Sequence, residues 1–565
     1  MKRNLWLPFL LAAATVSAQK PPAQPPAQAP IPPVSERVEV SVTNLDVIVT
    51  DSRGNRVPGL TREDFEVLQD GIPQKITNFY AVSGGKITLE DGKVVTLDSP
   101  AAVEEIPRDL KARYLLYIDN LNIQPQNRNR MFKSLITFVE RTIGPRAEAM
   151  VVVYNRSLKV RRRFTSDPSE IVGVLDQIEK ETGGGSSQVS ERRDTLHRID
   201  ESQSASEALQ TARQYSRSLR NDLEFAVDAI KNTLNGMAGI EGRKVFVYVS
   251  EGLPATVGLE LFDQINRKYQ EGSSATLEAF EFDMNSRYAS IIQAANAQGV
   301  TIWALDASGL TTDDLISAEN RSFQTRPNDF ILRQNTQGPL MLMAEQTGGL
   351  AAINTNDWKS NLEELSKDFS NFYSIGYRST RSAVDRPHAV SVTIKRKGMK
   401  VRSRKGFVEK TIETRTAESV IASLFYPRDE NPLGISVSLG AQKPYDDENF
   451  TIPVRISVPI GKMALVPAGD RFEGTFFVYV VARDTAEKQS DLAIQRQAVS
   501  VPSKELAKAQ SKDWYYDFSI MVAPGSQRIA FAVRDLVSNQ VSYYQKNLFI
   551  TLLPKEEKKK AEEKR

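Results

Sequence analysis

The sequence contains no cysteine. This absence excludes disulfide bonds, thiolate nucleophiles and zinc or iron–sulfur sites held by cysteine. Only two histidines are present, His197 and His388, and they lie far apart in the chain. The sequence therefore contains almost no histidines from which a histidine-based metal site or a Ser–His–acid triad could form. We interpret both histidines as structural or exposed.

The chain also lacks a strong charge of either sign. Its 73 lysines and arginines face 70 aspartates and glutamates, which leaves a net charge of +3. A chain with this balance is not built as a whole to bind nucleic acid. Two basic runs, Lys159–Arg163 and Lys395–Lys405, are interpreted as protection of strand edges against unwanted pairing.

Sequence motifs of common enzyme classes are missing as well. HExxH, GxSxG, the phosphate-binding GxxxxGK[ST] and GxGxxG do not occur. We therefore expect a protein that is not an enzyme and that has no cofactor. A hydrolase with an unrecognised motif is kept as an alternative.

Apolar runs long enough to span a bilayer are absent after the amino terminus. The first residues read MKRNLWLPFLLAAATVSAQK. Two basic residues precede a short apolar run, and Val16-Ser17-Ala18 supplies the small residues that a signal peptidase needs. We expect a signal peptide over 1–18 and an exported protein, periplasmic or extracellular, with no membrane span after cleavage. An uncleaved anchor is the alternative.

The length of 565 residues suggests several domains. A proline-rich linker is expected over 19–35 and a small β-module over 36–107, where apolar and polar residues alternate. From 108 to 408, strands alternate with helices, which predicts an α/β domain with a doubly wound, Rossmann-like parallel sheet. Its central strand ends at Asp119 in the stretch RYLLYIDNLNI.

Further features of the α/β domain are predicted from composition and periodicity. The polar, glycine- and serine-rich residues 181–206 are expected to form a mobile loop. The stretch FYSIGY at 372–377 is a further strand, and 388–395 and 400–408 form a strand pair added to the edge of the same sheet. After a linker over 409–430, alternating runs predict an immunoglobulin-like β-sandwich over 431–554, followed by a charged disordered tail over 555–565.

The order of residues 113–378 resembles a von Willebrand factor A (VWA) domain. The resemblance rests on YLLYIDN, on AMVVVYNRSLKVRRRFTSDPSEIVGVLDQI and on KVFVYVSEGLP. Together with VSVTNLDVIVTDSRGNRVPGLTREDFEVLQDGIPQKITNFY before it and FYSIGYRST after it, the chain from about 36 to 408 resembles the acidobacterial-type VWFA-related domain proteins.

The resemblance implies binding of a protein ligand at a metal-ion-dependent adhesion site. The first loop of that site reads Asp-x-Ser-x-Ser, because Mg²⁺ requires oxygen ligands in octahedral geometry. Here Asp119 matches, but Leu121 and Ile123 stand at the serine positions. Glu251 would be the third-loop acid. The candidates for the second-loop threonine are Thr182 and Thr195.

We therefore expect a degenerate metal site at Asp119 and Glu251, with weak binding of Mg²⁺ or Ca²⁺ left open. The favoured interpretation is that Asp119 accepts hydrogen bonds from loop N–H groups and helps to start the next helix.

The function predicted from these features is protein–protein interaction or adhesion in the cell envelope. Loops at the carboxyl ends of parallel strands converge on one edge of a sheet. The ligand surface is therefore placed on 119–124, 183–190, 251–254 and 306–312, with contact residues Asn120, Asn122, Ser250 and Asp306. A cation-dependent adhesin with an atypical site and a structural envelope assembly protein are alternatives, and the oligomeric state is left open.

Overall fold

The structure is a computed structural model. It describes residues 42–84, 86–89, 94–96, 111–270, 274–310, 326–379, 385–425, 428–446, 449–484 and 488–551. The expected signal peptide, proline-rich linker and charged tail lie outside these ranges. The described chain divides into two compact units, one within residues 42–411 and one within residues 412–551.

The first unit begins with short antiparallel strands. They are β1 (Val42–Asp51), β2 (Phe65–Gln69), β3 (Ile72–Gln74), β4 (Ile76–Ser83), β5 (Lys86–Leu89) and β6 (Val94–Thr96). Alternation along β1 buries Leu45, Val47 and Val49 on one face. A 3₁₀ turn at Arg62–Asp64 precedes β2.

A six-stranded, mostly parallel sheet follows. Its strands are β7 (Ala112–Asp119), β8 (Ala147–Tyr154), β9 (Leu158–Thr165), β10 (Arg243–Ser250), β11 (Val300–Asp306) and β12 (Ala351–Ala352), in the order β12-β11-β10-β7-β8-β9. The strand β9 is antiparallel to β8 and forms one edge. The basic run Lys159–Arg163 therefore lies on an edge strand.

Helices cover both faces of this sheet. They are α1 (Pro125–Thr142), α2 (Pro168–Glu179), α3 (Gly185–Glu201), α4 (Ala205–Asn235), α5 (Leu259–Tyr269), α6 (Ser274–Ala279), α7 (Asn285–Ala297), α8 (Arg326–Gln346) and α9 (Trp358–Ser370). Apolar residues of α1, α2 and α9 share one core with β7, β8 and β10. On the other face, α7 and α8 pack against β11. The described part of the first unit is therefore of mixed α/β class.

The next strands return to the β-module rather than to the parallel sheet. They are β13 (Asn371–Arg378), β14 (Arg386–Ile394), β15 (Met399–Arg402) and β16 (Gly406–Glu409). One sheet has the order β15-β1-β13-β4-β5-β6, and a second has the order β16-β14-β2-β3. The prediction that 388–395 and 400–408 extend the edge of the parallel sheet is wrong. The α/β part is inserted into the β-module.

The inserted part is joined to the β-module by a buried ion-pair network around Asp368, at the end of α9. Its carboxylate accepts hydrogen bonds of 2.6 Å from Arg56, which follows β1, and from Arg402 on β15. Its main-chain oxygen accepts from Arg243, whose Nε also donates to Asp46 on β1 at 2.8 Å. The Asp368 side chain is only 5% exposed.

The second unit consists of two antiparallel sheets that share one apolar core. The first sheet contains β17 (Ser436–Leu439), β18 (Lys443–Pro444), β19 (Phe450–Pro459) and β23 (Asp513–Val522). The second contains β20 (Val466–Ala468), β21 (Arg471–Asp484), β22 (Ala493–Pro502), β24 (Gly525–Asp535) and β25 (Val541–Ile550). The described residues of this unit also form two short α-helices, α10 (Ile412–Ser423) and α11 (Leu506–Ala509).

Helix α10 occupies part of the stretch 409–430 that was expected to be a linker. It packs against β21 and β24, and its Glu413 accepts a 2.6 Å hydrogen bond from Arg534, which is fully buried. Among the described helices of the whole chain, none combines the length and the apolar character needed to cross a bilayer.

We expect the substitution Asp368→Asn to lower the free energy of unfolding of the chain by about 3–5 kcal/mol, because it leaves two poorly exposed arginines without their shared carboxylate. Urea unfolding followed by circular dichroism measures the loss. Glu364→Gln is the matched control, since Glu364 also accepts from Arg56 but is 37% exposed. Its loss should stay under about 1 kcal/mol. Equal losses of unfolding free energy in both variants would contradict the conclusion that Asp368 is the central carboxylate of this network.

Candidate functional site

The candidate site lies at the point where the strand order of the parallel sheet reverses. The chain runs from β7 outward to β8 and β9, and then from β10 outward on the other side of β7. Loops that follow the two central strands diverge at such a point and leave a crevice where ligands commonly bind. Asp119 ends β7, and Glu251 follows Ser250 at the end of β10. The two acids therefore lie at the carboxyl end of the sheet, which we call the strand-end edge.

The Asp119 carboxylate is buried, with 1% of the residue exposed. It accepts four hydrogen bonds: from the Tyr248 hydroxyl at 2.6 Å, from the side chain and main chain of Asn122 at 2.9 and 3.2 Å, and from the Ser250 hydroxyl at 3.3 Å. Burial raises the pKa of Asp119, whereas these hydrogen bonds act to lower it. The loop N–H donor expected from the sequence is present.

Glu251 holds the start of helix α1. Its Oε1 accepts from the Gln124 main-chain N–H and from the Asn127 side chain, both at 2.8 Å. Its Oε2 accepts from the Gln124 side chain at 3.2 Å. A carboxylate at a helix N-terminus satisfies unpaired N–H groups and interacts favourably with the helix dipole. Helix initiation, expected of Asp119, is thus performed by Glu251.

A buried arginine anchors Asn120. Arg128, on α1, is fully buried and donates to the Asn120 side-chain oxygen and to the main-chain oxygens of Glu179 and Glu181. Burial lowers the pKa of Arg128, and the nearby charges of Glu181 and Glu179 oppose that effect. The guanidinium therefore ties the loop after β7 to the end of α2.

The remaining predicted contact residues are also buried and internally bonded. Asn120, Ser250 and Asp306 are at most 1% exposed, and Asn122 is 9% exposed. Asp306 accepts from the Ser308 main chain and hydroxyl at 2.9 and 2.6 Å and from Gln337 at 2.9 Å. The structure brings all six predicted residues to one edge of the sheet, but the side chains of these four have little or no contact with solvent.

Helix α3 covers the loop after β7. The stretch 181–206, expected to be mobile, is helical over most of its length. Gly184 donates its N–H to the Asn120 main-chain oxygen at 2.8 Å, and Gln188 donates to the Asn122 side chain at 3.1 Å. A Cβ atom on Gly184 would lie 2.8 Å from the Leu121 side chain. Glycine thus permits a backbone approach that another residue would block.

Four further residues were considered for the expected metal site: Leu121, Ile123, Thr182 and Thr195. Leu121 and Ile123 are buried, at 4% and 0% exposure. Thr195 donates within its own helix to Glu191, and the Thr182 main-chain oxygen accepts from Asn120. Within the described residues, no group of three or more His, Asp or Glu side chains is placed to hold a metal ion.

Sequence reasoning missed Tyr248, Arg128 and Gln188. Tyr248 lies two residues before Ser250 on β10, so the period of two along the strand places both on the same face of the sheet, and this spacing could have identified it. Arg128 could have been found as a charged residue on the buried stripe of α1, three residues before Met131 and four before Phe132. No signal in the sequence identifies Gln188, because α3 was assigned as a loop.

No family model matches this chain, and no curated protein matches it. Solved structures with partial similarity include the ArnB paralog VWA2 from Sulfolobus acidocaldarius, at 11% identity, 92% coverage of this chain, 78% coverage of that chain and a TM-score of 0.21. Manganese-loaded TRAP protein from Plasmodium vivax has 10% identity, coverages of 53% and 95%, and a TM-score of 0.19. The conserved hypothetical protein BatB from Bacteroides thetaiotaomicron has 11% identity, coverages of 46% and 97%, and a TM-score of 0.19. Similarities this weak carry no inference about this chain.

We expect Gly184→Ala to destabilise the first unit by about 1–3 kcal/mol, because its Cβ must displace the backbone or side chain of Leu121. Hydrogen exchange over 185–201 should accelerate as α3 loosens. Gly173→Ala is the control, since a Cβ at Gly173 in the middle of α2 meets nothing within 4 Å. It should stabilise the chain by about 0.5–1 kcal/mol. Unchanged exchange in Gly184→Ala would refute the close contact.

Proposed function

We propose that this chain is an exported, non-catalytic protein-binding module that mediates protein–protein interaction or adhesion in the cell envelope. The proposal combines the resemblance of residues 113–378 to VWA domains with the state of the strand-end edge. It includes a VWA-like fold for the inserted α/β part, with the metal-ion-dependent adhesion site degenerate, and no cofactor. The partner is a protein rather than nucleic acid.

The observation that carries the proposal is that the carboxylates at the strand-end edge accept hydrogen bonds from neighbouring groups of the protein. Asp119, Glu251 and Asp306 each accept at least three hydrogen bonds from neighbouring protein groups. Carboxylates in this state are poor candidates for a general base or a hard-cation ligand, because most of their lone pairs are already engaged. They serve instead to hold the loops rigidly, which lowers the entropy cost of binding a partner.

The contact surface in this proposal is the outer face of α3, which covers the edge. Six residues line an open depression of about 770 Å³ there: Ser186, Ser187, Ser190, Glu191, Asp194 and Arg198. The surface is polar and carries charges of both signs, as the rims of protein interfaces do. The predicted ligand loop 183–190 therefore contributes to the surface through its helical part, and the loop 119–124 supports it from below.

A cation-dependent adhesin is the second candidate, and it rests on the common edge shared by Asp119 and Glu251. We expect calorimetric titration of the metal-free full chain with Mg²⁺ and with Mn²⁺ to give no binding heat, because Leu121 and Ile123 replace the hydroxyl ligands and Glu251 is engaged with the start of α1. Saturable heat in the wild type that disappears in both Asp119→Ala and Glu251→Gln would instead establish the cation-dependent function.

We expect a photo-crosslinking residue placed at Ser187 or Ser190 of the full chain to form discrete adducts with an envelope protein of the source cells. The same residue at Glu241, which is exposed just before the amino end of β10, is the control and should form none. Mass spectrometry of the adducts measures the result. Identical adduct patterns from both ends of the sheet, or no adduct from α3, would contradict the proposed surface.

A further inference from the structure

A second cavity lies within the first unit, at the other end of the parallel sheet. It has a volume of about 240 Å³ and is bordered by the amino ends of β10 and β11 and by β1, β13 and β15 of the β-module. We call it the junction cavity, because it lies where the inserted α/β part meets the β-module. It is separate from the edge that contains Asp119, since Arg243 and Ser250 stand at opposite ends of β10.

Positive charge dominates the lining of the junction cavity. Its four cationic residues are Arg243, Lys244, Arg402 and Arg404, and its two acidic residues are Asp46 and Asp368. Both acids are already engaged with arginines. Asp46 accepts from Arg243, and Asp368 accepts from Arg402 and also from Arg56, which does not line the cavity.

Arg404 uses only part of its hydrogen-bonding capacity. Its Nη2 donates to the main-chain oxygen of Asn44, and its Nε is buried without a hydrogen-bond partner. No carboxylate among the described residues forms an ion pair with it. Burial lowers the pKa of Arg404, and the charge of Asp46 only partly offsets that effect. A half-buried guanidinium whose Nε is buried and unpaired favours an additional acceptor with negative charge.

The volume of the junction cavity limits the size of the acceptor that can bind there. Sites for drug-sized ligands usually have volumes of about 300–1,000 Å³, so a cavity below that range suits a small ion rather than a nucleotide or a peptide. Ser374 and Thr301, whose side chains contain hydroxyl groups, also line the space. A small oxyanion would use the guanidinium and these groups together.

We propose that the junction cavity binds a small oxyanion of the phosphate, sulfate or carboxylate class, with Arg404 as its principal ligand. The anion would contact residues of both the β-module and the inserted α/β part, and would therefore stabilise their junction. This site is independent of the protein-binding function proposed for the opposite end of the sheet.

Isothermal titration of the full chain with inorganic phosphate, sulfate and acetate, at an ionic strength fixed with sodium chloride, tests the proposal. Saturable heat for at least one of these oxyanions is expected, and the three titrations separate the classes. Arg404→Gln should weaken binding by about tenfold or more, the loss expected for a charge-assisted hydrogen bond. Arg404→Lys keeps the charge and should lie between Arg404→Gln and the wild type.

Arg163→Gln is the control variant, because it removes one positive charge from the exposed edge strand β9. It should bind the oxyanion as the wild type does. The absence of saturable heat in the wild type would overturn the proposal, since the cavity would then hold water only. Unchanged affinity in the folded Arg404 variants would also overturn it, because the anion would then bind elsewhere.

Discussion

Burial of the Asp119 carboxylate is the constraint on which the strand-end edge depends. A carboxylate removed from water must be neutralised or must receive hydrogen bonds, because an isolated buried charge is far too costly. The donors come from Tyr248 and Ser250 on β10 and from Asn122 in the loop that Asp119 itself begins. The carboxylate thus joins the two central strands, at the position where the resemblance to VWA domains would place a metal ion.

The parts of the fold that sequence reasoning predicts well are those with local signals. The apolar run of β7 ends at Asp119 as expected, and α2 starts at Pro168 after Asp167, whose carboxylate caps the helix. The insertion of the α/β part into the β-module had no local signal in the sequence. Pairing of β1 with β13 joins Val42 to Arg378, and nothing in either strand identifies a partner so distant in the sequence.

The prediction of α3 failed for a related reason. Only Gly185, Thr195 and Ile199 of this helix are buried, so it lacks the apolar stripe by which amphipathic helices are recognised. Its position is set instead by hydrogen bonds and by the close approach of glycines to the loop after β7. The candidate site could be located from the strand ends, but its cover could not.

The two ends of the parallel sheet therefore differ in whether their charged side chains have partners within the protein. At the carboxyl end, each acid has its donors, and a helix covers the loop, so the proposed recognition would use the helix surface. At the amino end, the β-module contributes Arg402 and Arg404 to a space that already contains Arg243, and Asp46 and Asp368 do not balance all of this charge. Since β15, which contributes Arg402, comes from chain that returns after the insertion, the excess positive charge is a direct consequence of the inserted topology. An anion that neutralised it would stabilise the contact between the two parts of the unit.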